Sequence, residues 1–190
     1  MDIERRVADG SEVGDLHPLY VYWRRLAGEA GPAAAAPDRR AIDPSDLPPR
    51  LLPRVKIVLC EAGDWRYGLV GTAFRDLAGV ELSGKRVAEI EGEIYAPALI
   101  ELFEAVRVER RPLFCTMRYL GPNRGAEREV SRLVLPFATH DEVDAVMVGA
   151  RWRTADPEAT SFILARSVKI GPILAFDDDG APDTEPGAAV

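Results

Sequence analysis

The chain has 190 residues, a net charge of −7 and 47% hydrophobic residues, which suits one domain with extensions and a core that buries roughly 70% of the unfolded surface. The acidic balance excludes a basic footprint for nucleic acid, and no uncharged apolar run reaches the roughly 18 residues of a membrane span. Residues 1–10, with Asp2, Glu4, Arg5 and Arg6, lack the apolar stretch of a signal peptide, so a cytoplasmic location is expected.

Residues 1–15 are polar and read as a flexible N-terminus. Leu16, Leu19, Tyr20, Trp23, Leu26 and Ala27 then recur at helical spacing and give one apolar face. Pro18 suits the first turn of this helix, and Gly28 and Gly31 mark its end. A connector over 31–53 carries Pro32, Pro37, Pro44, Pro48, Pro49 and Pro53, a density that excludes a long regular element. Helix and connector together occupy 16–54.

Val55–Glu61 and residues 65–70 read as strands of a hairpin turned at Ala62-Gly63-Asp64. Thr72–Ala78 and Val87–Ile90 are short helical pieces on either side of a loop over 79–84. The clearest helix covers 96–110, with Leu99, Leu102, Phe103 and Val106 on one side. Three more strands follow, Leu113–Leu120, 127–137 and 143–152, with turns at 121–125 and at Thr139-His140-Asp141. A last apolar segment, 161–176, is broken by Gly171-Pro172, and the acidic tail over 177–190 is expected to be disordered. Strands grouped around helices argue for an α+β fold with an antiparallel sheet.

Several spaced motifs carry a resemblance. Tyr67-Gly68-Leu69-Val70-Gly71-Thr72-Ala73-Phe74, then Gly79-Val80-Glu81-Leu82-Ser83-Gly84, resemble the strand end and following loop of the bacterial PAS subfamily PAS_5. Tyr22-Trp23, the stretch from Pro37 to Pro44 and Leu51-Leu52-Pro53 resemble its upstream signature. The chain departs from the pattern at Gly68, where the subfamily has Arg, and in an Ala-rich insertion between Trp23 and Pro37. The resemblance implies a five-stranded antiparallel sheet with short helices on one face, the face on which PAS domains hold ligands. The resemblance spans about Leu16 to Trp152, and the element pattern divides the chain into a PAS core at 55–153 and a C-terminal extension at 154–176. The resemblance also implies a signalling role.

Two familiar PAS cofactors find no anchor. Haem-binding members resemble one another in placing an axial His on the long helix; His17 and His140 lie outside it. Light sensors carry a reactive Cys just before that helix, whereas Cys60 and Cys115 fall in strands and read as small buried hydrophobes. Haem and covalent flavin are therefore disfavoured, the cofactor stays unknown, and no metal site is expected. Two histidines build no Ser–His–Asp arrangement, and no phosphate-binding glycine loop occurs, so the chain is not expected to be an enzyme. Only Glu93 and Tyr95 stand out as acid or base candidates.

Tyr67, Phe74, Tyr95, Phe103 and Met117 fall on elements that would enclose a ligand; packing alone would also explain them. Arg128 and Arg132 share one strand face. Either they lie in solvent beside Glu127 and Glu129, or Arg132 turns inward and clamps an anion. The apolar face formed by Leu16, Leu19, Tyr20 and Trp23 needs a cover, either the sheet of a second subunit or the chain's own sheet, and a twofold homodimer is expected. The combined expectation is a PAS sensor acting in trans on an unidentified signalling protein, gated by a small metabolite. The competing reading is a binding protein with a fixed apolar or anionic ligand.

Overall fold

The computed structural model describes residues 3–7, 10–30, 36–120, 127–153 and 167–176. Seven strands form one sheet: β1 (Ile3–Val7), β2 (Val55–Glu61), β3 (Asp64–Val70), β4 (Leu113–Leu120), β5 (Glu127–Thr139), β6 (Glu142–Arg153) and β7 (Ser167–Ala175). The helices are α1 (Gly10–Val13), α2 (His17–Ala30), α3 (Thr72–Ala78), α4 (Val87–Ile90) and α5 (Gly92–Glu109). Strand order is β1-β7-β4-β5-β6-β2-β3. The six strands β2 to β7 pair antiparallel, and β1 joins β7 in parallel at the edge.

The α+β fold is as expected, but the sheet exceeds five strands. Gly171-Pro172, read as a break, is a bulge within β7. Opposite Cys115 and Met117 stand Ile173 and Ile170, so β7 carries the extra residue there. A Cβ at Gly171 would approach the Thr116 carbonyl oxygen to 2.9 Å, which reserves the position for glycine. The bulge also accommodates a proline that cannot donate to the ladder. The polar start, read as flexible, contributes β1 and α1. The turn at 121–125 and the tail over 177–190 lie outside the described residues.

Two hairpins show why short loops suffice. Ala62 and Gly63 link β2 to β3 with φ of +53° and +84°, and His140 and Asp141 link β5 to β6 with φ of +49° and +68°. Positive φ at both central residues gives the twist that neighbouring strands require. Gly71 ends β3 where a Cβ would lie 2.4 Å from the carbonyl oxygens of Leu52 and Pro53. The Gly-Thr pair at this strand end therefore lets the backbone press against the turn at Leu52–Arg54.

The sheet is covered on both faces. Its inner face, with Val58, Val130, Val134, Val146 and Val148, packs against Phe74 of α3, Val87 of α4 and Leu99, Leu102 and Phe103 of α5. Its outer face, with Leu133, Leu135, Phe137, Ala145, Met147 and Leu174, packs against Leu19, Trp23 and Leu26 of α2. Helix α5 begins at Gly92 rather than at residue 96 and holds Pro97 in its interior. Tyr95 and Ala96, in the turn before the proline, are buried. Among the described residues no helix is long and apolar enough to cross a membrane.

The helix assigned to a twofold interface is instead an intramolecular cover. Leu16, Leu19, Tyr20 and Trp23 are buried against the chain's own sheet. Tyr20 stacks on Phe176 at 4.2 Å, and the Trp23 indole donates to the Pro136 carbonyl at 2.7 Å. Trp23→Ala should lower unfolding free energy by about 3–5 kcal/mol, the usual cost of emptying a buried Trp site. Urea denaturation measures this; a loss below about 1 kcal/mol, within the ordinary surface range, would remove Trp23 as the anchor of α2.

Candidate functional site

The inner core contains charge. Among the described residues the buried charged side chains are Lys56, Glu91, Arg128 and Arg132. Strand alternation places the arginines there. Val130 and Val134 of β5 line the inner core, and Arg128 and Arg132 share their parity, while Leu133 and Leu135 line the outer one. The solvent-exposed reading of Arg128 and Arg132 therefore does not hold. Arg118 takes the solvent role, pairing with Glu129 at 3.0 Å.

Lys56 projects from β2 into this core. Its Nζ lies 3.4 Å from the Tyr67 hydroxyl and 3.7 Å from Glu91 Oε1. It also sits 4.6 Å from the Tyr67 ring centroid and 4.8 Å from that of Phe74, where the π faces attract a cation. The Tyr67 hydroxyl donates to Glu91 Oε1. Glu91 Oε2 is buried without a hydrogen-bond partner in the described residues. Desolvation lowers the Lys56 ammonium to about 8, opposed by the Glu91 charge. Burial, with Glu91 adjacent, raises the Tyr67 phenol well above its ordinary range.

Arg132 forms the second half of the cluster. Its Nη2 donates to the Tyr95 hydroxyl and its Nη1 to Met117 Sδ at 3.2 Å. Its Cζ lies 5.3 Å from the Tyr95 ring centroid. Both partners are neutral, and Nε is buried without a partner in the described residues. Tyr95 meets Tyr119 edge to face at 5.4 Å, and Arg128 lies over the Tyr119 ring at 5.8 Å. Burial raises the Tyr95 phenol and pushes the Cys115 thiol up to about 11. The tyrosines are therefore neutral hydrogen-bonding groups at neutral pH, and the thiol is protonated.

Five of the six residues expected to bind a ligand meet here: Tyr67 and Phe74 around Lys56, and Tyr95 and Met117 around Arg132. Phe103 belongs to the same core but packs on Trp65 at 5.3 Å. Glu93 is exposed, and Glu91 is the buried acid. Lys56 and Glu91 were absent from the expected set. Lys56 did leave a trace, as a charge interrupting the apolar run Val55-Lys56-Ile57-Val58. Glu91 left none among Glu89, Glu91 and Glu93.

A family model described as a PAS domain, PAS_5, matches residues 13–151. The matched stretch contains every residue of the cluster and excludes β1 and β7. No curated protein and no solved structure matches the chain.

The buried lysine predicts a pH signature. The folded state holds Lys56 near 8 and the unfolded chain near 10.5, so the unfolded state binds more protons between those values. Stability from this group should therefore rise with pH across that window, by on the order of 3 kcal/mol when complete. Urea midpoints of wild type and Lys56→Met, compared from pH 7 to pH 9, isolate the contribution. Wild type should gain on the variant above pH 8; a constant difference would remove the buried charge as its cause.

Proposed function

The chain belongs to the PAS_5 family of PAS domains, which points to a sensory and regulatory role, and on that premise we propose that it is gated by a small anionic ligand. The ligand's charged group engages Lys56 and Arg132, and the domain passes its state to a partner protein in trans. One observation carries the reading. Lys56 and Arg132 are both fully buried, yet Glu91 is the only buried carboxylate among the described residues, and Arg132 hydrogen-bonds neutral groups. A buried cation is costly unless an anion compensates it, and a guanidinium with a free Nε suits a carboxylate or phosphate. The surrounding Tyr67, Phe74, Tyr95 and Met117 supply an apolar lining with hydroxyl tips, the usual composition of a small-molecule site.

Native mass spectrometry of freshly purified protein tests the reading, with Arg132→Met as the comparison. Wild type should carry an added small anion that the variant loses, while the variant keeps the folded-state circular dichroism of wild type. Capture of a partner should change when the anion is removed. Identical spectra for both proteins, without retained mass, would sink the proposal. A retained anion with no effect on partner capture would point to a binding protein with a fixed ligand.

A further inference from the structure

We propose that the Glu91 carboxylate is a tethered occupant of the anion site: it holds the place of a small carboxylate ligand, whose entry releases it and loosens the joint between α4 and α5. The inference rests on the cluster being an anion site, and it specifies both the ligand's class and the moving part.

Three observations support it. Glu91 does not belong to the sheet that carries the cations. It closes α4 and leads into α5, and Gly92 follows it at φ +71°. Its carboxylate thus hangs from a joint between two helices that can change direction with little backbone penalty at the glycine. Second, the carboxylate is only half engaged. Oε1 takes the Tyr67 hydroxyl and faces Lys56, whereas Oε2 is buried without a partner in the described residues. A half-satisfied buried polar group is a weak claimant to its position. Third, Arg132 presents its own unpartnered Nε in the same core, and its partner Ala150 stands two residues along β6 from Val148, the partner of Lys56. A free carboxylate is not bound to the α4–α5 backbone. It can satisfy Tyr67 and Lys56 with one oxygen and offer the other to donors that Glu91 does not reach.

The donor set also favours carboxylate over phosphate. The anion now held there is a carboxylate that accepts from one hydroxyl and pairs with one ammonium. Once released, Glu91 would present a charge at the base of α5, beside exposed Glu93 and Ile94. That surface would then differ between the free and ligand-bound states.

The test uses sodium acetate as the probe, with sodium chloride and sodium phosphate at matched ionic strength as controls. Glu91→Ala removes a group equivalent to acetate. Acetate should raise its Tm saturably, beyond either control salt. Glu91→Gln keeps the shape and the acceptor for Tyr67, and serves should the alanine variant fail to fold. Without the charge holding it on Lys56, its side chain yields more readily, and acetate should bind about tenfold more tightly than to wild type. In wild type, saturating acetate should speed hydrogen exchange of the 90–93 amides. An acetate response no larger than that to chloride in both variants would overturn the tethered occupant. Unchanged exchange at the joint would do the same, and a preference for phosphate would overturn the carboxylate class. Loss of a retained anion in Arg132→Met, together with indifference to Glu91 substitution, would leave the anion site standing and refute this inference alone. Absence of any anion response in every protein would refute both.

Discussion

A cation enclosed by protein must recover what it loses in hydration. Lys56 and Arg132 impose that requirement on the inner face of this sheet, and much of the local arrangement answers it. Pairing registers set Lys56 against Val148 and Arg132 against Ala150, so β6 offers small residues between the two long side chains. The aromatic rings present π faces or hydroxyls, and a single carboxylate enters from the α4–α5 joint. The compensation is incomplete, with Glu91 Oε2 and Arg132 Nε both unmatched among the described residues. A core selected only for stability would hold apolar residues at these positions.

The outer face follows different chemistry. Leu133, Leu135, Phe137, Ala145 and Met147 make it wholly apolar at its centre, and α2 covers it within the same chain. The anchor is a neutral one: the indole of Trp23 meets the Pro136 carbonyl in β5. Pro136 lies beyond Val134, the last residue of β5 paired to β4, so one side of the strand has no ladder there. The two faces thus divide the work. One supplies stability through apolar burial, and the other keeps polar groups that stability alone does not require.

Most of the elements were legible because they rest on local rules. Helical spacing identified the face of α2, and alternation put Arg128 and Arg132 on one side of β5. The motif around Gly71 marked the strand end, where a side chain would strike the Leu52 and Pro53 carbonyls. What stayed hidden depends on distant partners. Nothing local says which side of β5 faces the helices, so the arginines could be read as buried or solvated. Glu91 is distinguished from Glu89 and Glu93 only by the direction in which Gly92 turns the chain. Gly171-Pro172 resembles a terminator until Thr116 is set opposite it, when it becomes a bulge. The apolar face of α2 signalled that it would be covered, and its spacing was silent on what covers it.

The place of β7 affects how the fold is reached. This strand lies between β4 and β1, with Ile3 beside Ile173 in parallel register. Those partners stand at opposite ends of the described sequence, and so long a loop must close before their contact contributes anything. During synthesis from the N-terminus, β1 emerges well before β7, the strand it pairs with. The β2–β6 sheet can form in the meantime, leaving the outer edge of β4 open. Strand β7 then acts as a late seal on an edge that would otherwise invite pairing with another chain.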